Sequence, residues 1–177
     1  MPDLRPTPDG LYEDVASQYG AALERLARAY EADPELRRDL LQEIHIALWR
    51  SFHGFDGRCS LRTWAYRVAH NAATSHVIRQ RRTRSKALLG LDELENLPDP
   101  NAGEQSVDRG QALGHLLNLI QRLKPLDRQV ILSYLEGLDS ASIGEITGLS
   151  AGNVATKIHR IKGILARRFH EGGNDHE

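Results

Sequence analysis

The sequence predicts an all-α fold of two small helical domains joined by a flexible acidic linker. Apolar residues recur at helical spacing through most of the 177 residues, and no segment has the alternating pattern and tight turn of paired strands. One stretch rich in proline, glycine and acids interrupts this periodicity. The predicted segments are a disordered N-terminus (1–11), a first domain (12–89), the linker (90–110), a second domain (111–170) and a disordered tail (171–177).

Three helices are predicted in the first domain. The first covers Tyr12 to Glu31, where apolar and aromatic residues return every three or four positions. The second begins after Asp33, a good N-cap that is followed by proline, the residue best suited to the first helical position. Two glycines in HGFDGR, residues 53–58, end this helix. Ser60 can cap the third helix, which runs from Leu61 to about Arg82.

The second domain is predicted to end in a helix-turn-helix. Asp139 can cap a short helix, Gly148 begins a three-residue turn, and Ser150 can cap a long helix that runs to about Phe169. Gly144 lies in the short helix where the second helix must approach closely. In such units the second helix enters the major groove of DNA. The alternative is a helical hairpin in a core, with a solvated basic face.

Six residues near the start of that long helix are predicted to contact duplex DNA. Asparagine and threonine side chains can reach base edges, and lysine and arginine can reach bases or phosphates. The predicted contacts are Gly152, Asn153, Thr156, Lys157, His159 and Arg160.

Charge is distributed in blocks along a chain whose net charge is only -1. Residues 58–89 contain eight Lys and Arg and no Asp or Glu, whereas residues 1–57 contain six basic and eleven acidic side chains. Residues 90–110 are again acidic. This asymmetry predicts one surface for a polyanion and a different surface for another partner.

The sequence offers little for catalysis or for a membrane. The eight histidines are scattered, no HExxH or cysteine pair is present, and no glycine-rich phosphate loop follows a predicted strand. We therefore expect no catalytic residues, no metal site and no cofactor. The single cysteine, Cys59, fits a reducing compartment, and no apolar run approaches membrane-spanning length. The N-terminus has no signal-peptide pattern, so the prediction is a soluble, cytoplasmic protein without membrane insertion.

Two segments resemble a known family. DLLQEIHIALWRSFHGFDGRCSLRTWAYRVAHNAATSHVIRQRR looks like region 2 of sigma-70 factors, and LKPLDRQVILSYLEGLDSASIGEITGLSAGNVATKIHRIKGIL looks like region 4. Their order and the short linker between them resemble the extracytoplasmic-function (ECF) group. The resemblance implies an alternative sigma factor that binds core RNA polymerase, opens the minus-10 element with region 2 and reads the minus-35 element with region 4.

The resemblance also implies which first-domain residues contact the minus-10 strand. Holding single-stranded DNA requires positive charge along the backbone and planar or amide side chains for unstacked bases. The implied contacts are Phe55, Arg58, Ser60, Arg62, Trp64, Tyr66, Arg67, Asn71, Arg79, Arg81 and Arg82. Trp64 and Tyr66 are two residues apart and leave the helix at different angles, so one of them is expected to pack in the core. The final arginines could instead form a solvated helix end.

The helix before this basic stretch is implied to bind the polymerase. Asp39, Gln42, Glu43 and Trp49 match the family's pattern for the surface that contacts the beta-prime clamp helices, although an ordinary exposed helix face is the alternative. Region 4 of the family contacts the beta flap, and an anti-sigma factor is a further implied partner. The rival to the whole assignment is a stand-alone helix-turn-helix regulator that binds duplex DNA without polymerase.

Overall fold

The computed structural model describes residues 6–81, 89–96 and 109–171. Within these residues all regular elements are helical, which confirms the all-α prediction. The chain divides into two compact units between residues 84 and 85. The elements are α1 (Pro8–Tyr30), α2 (Pro34–Ser51), a 3-10 turn (Phe52–Gly54), α3 (Leu61–Arg81), α4 (Leu91–Glu95), α5 (Arg109–Arg122), α6 (Pro125–Leu135), α7 (Ser140–Thr147) and α8 (Ala151–Glu171).

The first unit is a bundle in which α1, α2 and α3 pack against one another. Helix α1 begins at Pro8, because the Thr7 side chain accepts a hydrogen bond from the Gly10 amide (3.1 Å) and caps the first turn. The prediction of disorder up to residue 11 is therefore wrong for residues 8–11. The core between the helices is aliphatic and consists mainly of Val15, Leu23, Leu26, Leu40, Ile44, Leu48, Ala65 and Ala69.

The capping residues predicted for α2 and α3 act as expected. The Asp33 carboxylate accepts hydrogen bonds from the amides of Glu35 (2.9 Å) and Leu36 (3.2 Å). The Ser60 hydroxyl accepts one from the Thr63 amide (3.0 Å). These bonds satisfy amides that have no partner inside a helix, so short polar residues fix where each helix starts.

The second unit contains the predicted helix-turn-helix. Helix α7 ends at Gly148, whose φ of 80° is the left-handed conformation that glycine adopts readily. The Ser150 hydroxyl then accepts a hydrogen bond from the Asn153 amide (3.2 Å) at the start of α8. At Gly144 a Cβ would lie 2.6 Å from the Leu149 carbonyl oxygen, so the close approach predicted at this glycine is confirmed. The buried seam consists of Ile143, Ile146, Val154, Ile158, Ile161 and Leu165.

The predicted linker contains a helix that belongs to the second unit. Leu91 and Leu94 of α4 are buried, at 7% and 0% exposure, and α4 packs on α8. Before α4, the Leu89 amide donates to the Arg122 carbonyl (2.7 Å), and Leu89 and Leu123 form an isolated bridge. The described first part of residues 90–110 is thus folded against the second unit. Most of the remaining predicted linker lies outside the described residues.

Across the described ranges, none of the helices has both the length and the apolar character needed to span a bilayer.

Candidate nucleic-acid interface

An aromatic cluster lies where the loop after α2 meets the start of α3. The rings of Phe55 and Trp64 pack edge to face with centroids 5.3 Å apart, and Phe52 lies against Phe55 at 6.4 Å. The Trp64 indole nitrogen donates to the Ser51 hydroxyl (2.9 Å), which fixes the ring orientation. The Arg67 guanidinium carbon is 6.0 Å from the Trp64 ring centroid. Aromatic surface and positive charge therefore lie side by side, as base stacking next to phosphates requires.

Tyr66 does not join this cluster, because its ring lies in the core of the first unit. It is 1% exposed and lies between Tyr19 and His70, with centroid distances of 6.3 and 6.4 Å. The predicted contact of Tyr66 with DNA therefore does not fit the structure. The sequence holds a signal for this burial, since Tyr66 is three, four and seven residues before the buried Ala69, His70 and Ala73.

The other predicted minus-10 residues differ in how accessible they are. Asn71 is exposed. Arg58 is exposed and its guanidinium lies 2.9 Å from the Asp56 carboxylate. The Ser60 hydroxyl is engaged in the cap and also donates to the Thr63 hydroxyl (2.9 Å). Arg62 is half-buried, with its guanidinium carbon 5.8 Å from the Tyr66 ring centroid. The side chain of Arg81 and all of Arg82 lie outside the described residues.

Helix α2 carries the residues predicted to contact polymerase. Asp39 and Gln42 are exposed, whereas Glu43 is half-buried and forms an ion pair with Arg79. Arg79, a predicted DNA contact, is thus paired with an acid on the other predicted surface. Trp49 is 45% exposed, and its indole nitrogen donates to Asp9 (2.9 Å).

Ile46 is a part of this surface that was not predicted from the sequence. Ile46 is 49% exposed and lies one turn before Trp49 on α2. The sequence pattern does separate Ile46 from the core, since it lies outside the stripe of Leu40, Ile44 and Leu48, which are fully buried. Ile46 and Trp49 together form an exposed apolar patch on α2, a kind of surface that is found at protein contacts.

Two histidines of the basic helix α3 are buried on its inner face. His70 is 0% exposed and shares a hydrogen bond with the Tyr30 hydroxyl (2.9 Å). Burial lowers the pKa of His70 from 6.5 to about 3, because the charged ring would lose its hydration. His76 lies 3.4 Å from the buried Glu31 carboxylate. Both histidines support the position of α3 from inside the unit and do not face solvent.

The first unit is expected to lose stability as the pH falls from about 6.5, because an unfolded chain then protonates His70 while the folded chain does not. The pKa difference corresponds to a loss of about 2 kcal/mol between pH 7 and pH 5. Urea denaturation followed by tryptophan fluorescence reports this unit, since both tryptophans lie in it. Burial also lowers the pKa of His45, so the contribution of His70 is the difference between the wild-type protein and His70→Gln. If the unfolding free energies of the two proteins depend on pH in the same way, the pKa of His70 is not lowered by burial.

The exposed face of α8 presents most of the residues predicted to contact duplex DNA. Gly152, Asn153, Thr156 and His159 are exposed, and the Thr156 hydroxyl donates to the Gly152 carbonyl (3.0 Å). The cationic members of the set are already engaged within the unit. Lys157 forms an ion pair with Asp127 of α6, and Arg160 forms one with Asp92 of α4. DNA phosphates at these two positions would have to compete with carboxylates of the same chain.

Helix α4 is held to α8 by further polar contacts. Arg167 pairs with Glu95, and the largely buried Arg168 guanidinium donates twice to the Leu94 carbonyl (3.1 and 3.0 Å). The carbonyl is at the C-terminal end of α4, where a positive charge is favourable. No local sequence pattern predicts these contacts, because they join residues more than seventy positions apart.

Both units of the structure match models of known protein regions. The family model described as Sigma-70 region 2 matches residues 15–83, in the first unit, and the model Sigma-70, region 4 matches residues 113–165, in the second. The chain belongs to the sigma-70 family. The predicted resemblance is therefore confirmed, and the basic α3 and the helix-turn-helix are parts of regions 2 and 4.

Curated relatives place the chain in the ECF group. It is 27% identical over 138 residues to the ECF RNA polymerase sigma-E factor of Haemophilus influenzae, covering 74% of this chain and 73% of that protein. It is 25% identical over 168 residues to the ECF RNA polymerase sigma factor SigW of Bacillus subtilis, covering 91% and 86%. The protein is an alternative sigma factor. Sigma factors are initiation factors that bind RNA polymerase and are not themselves enzymes.

Two solved structures share the fold. One is CnrH in complex with the cytosolic domain of CnrY, with a TM-score of 0.62 and 19% identity over 88% of this chain and 85% of that chain. The other is RpoE of Bartonella quintana in complex with the anti-sigma factor NepR, with a TM-score of 0.63 and 15% identity over 89% and 98%. At these identities the likeness establishes the fold alone.

Proposed function

We propose that region 2 of this sigma factor holds the minus-10 strand at the Phe55–Trp64–Arg67 cluster, and that region 4 reads the minus-35 element with the exposed face of α8. The observation that carries the region 2 assignment is the juxtaposition of partly exposed aromatic rings with a guanidinium at one end of a helix that has no acidic residue. Stacking holds an unstacked base and the cation attracts the neighbouring phosphate. Asn71, exposed two turns after Trp64, adds an amide that can bind a base edge.

The proposed polymerase contact is the exposed face of α2. Asp39 and Gln42 supply polar contacts, and Ile46 and Trp49 supply apolar area at the centre of the patch. We propose that this face binds the beta-prime clamp helices and that region 4 binds the beta flap. The protein would then act in the cytoplasm, where the polymerase makes the phosphodiester bonds.

Run-off transcription with core polymerase tests the proposal. On a genomic fragment library, the protein is expected to produce new promoter-specific transcripts, which the double variant Arg67→Ala/Asn71→Ala reduces at least about tenfold, because a charged hydrogen bond and a base contact are both lost. The matched control is Asn118→Ala/Arg122→Ala, which removes the same residue types at the same spacing on α5. Each variant is first checked for core polymerase binding, which should be unchanged. If the new transcripts persist with Arg67→Ala/Asn71→Ala, α3 does not hold the minus-10 strand as proposed.

Two solution measurements separate this function from a stand-alone regulator. A sigma factor binds promoter duplex weakly alone and tightly with core polymerase, whereas a dimeric repressor binds a palindrome by itself. Tight duplex binding by the free protein, with no stable complex with core polymerase, would favour the regulator. We also propose an anti-sigma partner, because RpoE of Bartonella quintana, which shares the fold, was solved in complex with the anti-sigma factor NepR.

Helix α4 gives a prediction about duplex binding by the free protein. The variant Asp92→Asn/Glu95→Gln removes two carboxylates that hold Arg160 and Arg167, so the affinity for minus-35 duplex should rise by about three- to tenfold at low salt. Fluorescence anisotropy with a labelled duplex measures the change. Glu145→Gln, an exposed acid on α7, is the control for the change in net charge. If Glu145→Gln raises the duplex affinity as much per charge removed as Asp92→Asn/Glu95→Gln does, then Asp92 and Glu95 do not compete specifically with DNA.

A further inference from the structure

The first two turns of α8 carry no charged side chain. Residues 151–156 read AGNVAT, in which Val154 is buried and the other five residues are exposed. In a helix-turn-helix the residues at the N-terminus of the second helix lie closest to the base edges of DNA. The side-chain groups that would face the bases are therefore an amide, a hydroxyl and methyl groups.

The cations of α8 lie beyond these two turns, and each of them contacts α4 or α6 of the second unit. They are Lys157, Arg160, Lys162, Arg167 and Arg168. Lys157 is the nearest to the first two turns, and it pairs with the largely buried carboxylate of Asp127. A base contact by Lys157 would leave that carboxylate unpaired, which is costly inside a protein. Guanine is most often recognised by arginine or lysine, so the start of α8 lacks the usual means of selecting it.

Asn153 supplies an amide that suits adenine. Its side chain is exposed, and its backbone amide donates to the Ser150 hydroxyl (3.2 Å), which fixes the start of the helix just before it. An asparagine amide can form two hydrogen bonds with N6 and N7 of adenine in the major groove. That pair of one donor and one acceptor distinguishes adenine from guanine, which presents two acceptors there.

The neighbouring exposed residues fit an A·T pair as well. The Thr156 hydroxyl donates to the Gly152 carbonyl (3.0 Å), so its oxygen is left to accept from an amino group such as N6 of adenine. The methyl groups of Ala155 and Thr156 can pack on the methyl group of thymine. A Cβ at Gly152 would meet no atom within 4 Å, so packing does not require glycine there. The missing side chain lets the backbone of α8 approach DNA closely.

Given the proposed role of region 4, we propose that the start of α8 selects A·T base pairs in the minus-35 element. Asn153 reads adenine, and the methyl groups of Ala155 and Thr156 contact thymine. Guanine is not selected at these positions. The cations of α8 contribute through phosphates, which hold the helix in the groove without reading the sequence.

Transcription by the holoenzyme from a promoter pool tests this selection. The pool carries one transcribed promoter with a randomised minus-35 region, and each member is linked to a transcribed barcode that is sequenced. We expect A·T pairs to be enriched at neighbouring positions, with about five- to a hundredfold less transcript when the preferred adenine is replaced by guanine. Asn153→Ala should abolish the preference for adenine at one position, whereas Arg160→Ala should lower all transcripts alike.

Two further variants keep the outcomes distinct. Asn118→Ala removes the same exposed side chain from α5 and should leave every base preference unchanged. Asn153→Arg places a guanidinium at the same point of α8 and should shift the preference there from adenine to guanine. The selection of A·T is overturned, with the role of region 4 intact, if Asn153→Ala alters no position or alters one at which the wild-type protein prefers another base pair. A pool without any minus-35 preference overturns both.

Discussion

Replacing Gly144 by alanine is expected to destabilise the second unit by about 1–3 kcal/mol, the usual effect of forcing extra atoms into a packed region. The new Cβ would lie 2.6 Å from the Leu149 carbonyl oxygen, a distance that real Cβ contacts do not reach. Because that oxygen belongs to the backbone of the turn, α7 and α8 have to move apart. Urea denaturation followed by far-ultraviolet circular dichroism measures the loss.

The same substitution at Gly163 is the matched control. Gly163 lies inside α8, and a Cβ there would have only the end of the flexible Arg167 side chain within 4 Å, at 3.8 Å. Alanine should therefore stabilise the helix by up to about 1 kcal/mol. Tryptophan fluorescence, which reports the first unit, should not change in either variant. A Gly144→Ala protein as stable as Gly163→Ala would refute the packing described for the turn.

Replacing Arg128 by methionine is the second large expected effect, a loss of about 2–4 kcal/mol in the second unit. Arg128 of α6 is 1% exposed, and its guanidinium donates to the Leu123 carbonyl (3.0 Å) and to the Gln121 carbonyl. These carbonyls are at the end of α5, where no amide of the helix can reach them. Methionine keeps most of the apolar stem but leaves both acceptors without the cation.

Arg122→Met controls for the loss of charge and for the new thioether. Arg122 is in the last turn of α5 and is half-buried, so the change should cost at most about 0.5 kcal/mol. Both proteins are compared by urea denaturation with circular dichroism and tryptophan fluorescence. Equal losses in the two variants would mean that the buried guanidinium is not a structural link between α5 and α6.

The helices of this protein could be predicted from sequence because their signals are local. Asp33, Ser60, Asp139 and Ser150 each cap a helix through amides at most three residues away. The start of α1 was placed four residues late, at Tyr12, because the cap at Thr7 comes before any regular apolar stripe.

The candidate site was less predictable because its properties depend on packing between distant segments. Trp64 and Tyr66 are similar in chemistry, and the packing of α1 against α3 places the Tyr66 ring in the core. The ion pair of Arg160 with Asp92 joins residues 68 positions apart. Composition identified the basic stretch, but it could not identify which cations have acidic partners.

Helix α4 had no strong sequence signal at all. Its five residues are too few to form a stable helix alone, and its acids suggested a solvated linker. The helix forms because Leu91 and Leu94 are buried against the second unit and because the Glu93 carboxylate accepts a hydrogen bond from the Gly90 amide (2.6 Å).

Because α4 is covalently joined to the rest of the second unit, a ligand of α8 must compete with α4 at a high effective concentration. Residues 96–108 separate α4 from α5 in the chain, and a covalent connection of this length gives an effective local concentration of about a millimolar. A contact with an intrinsic dissociation constant near that value would be about half occupied in the intact chain. A separate peptide of residues 89–96, which contains α4, would leave α8 almost entirely free at micromolar concentration.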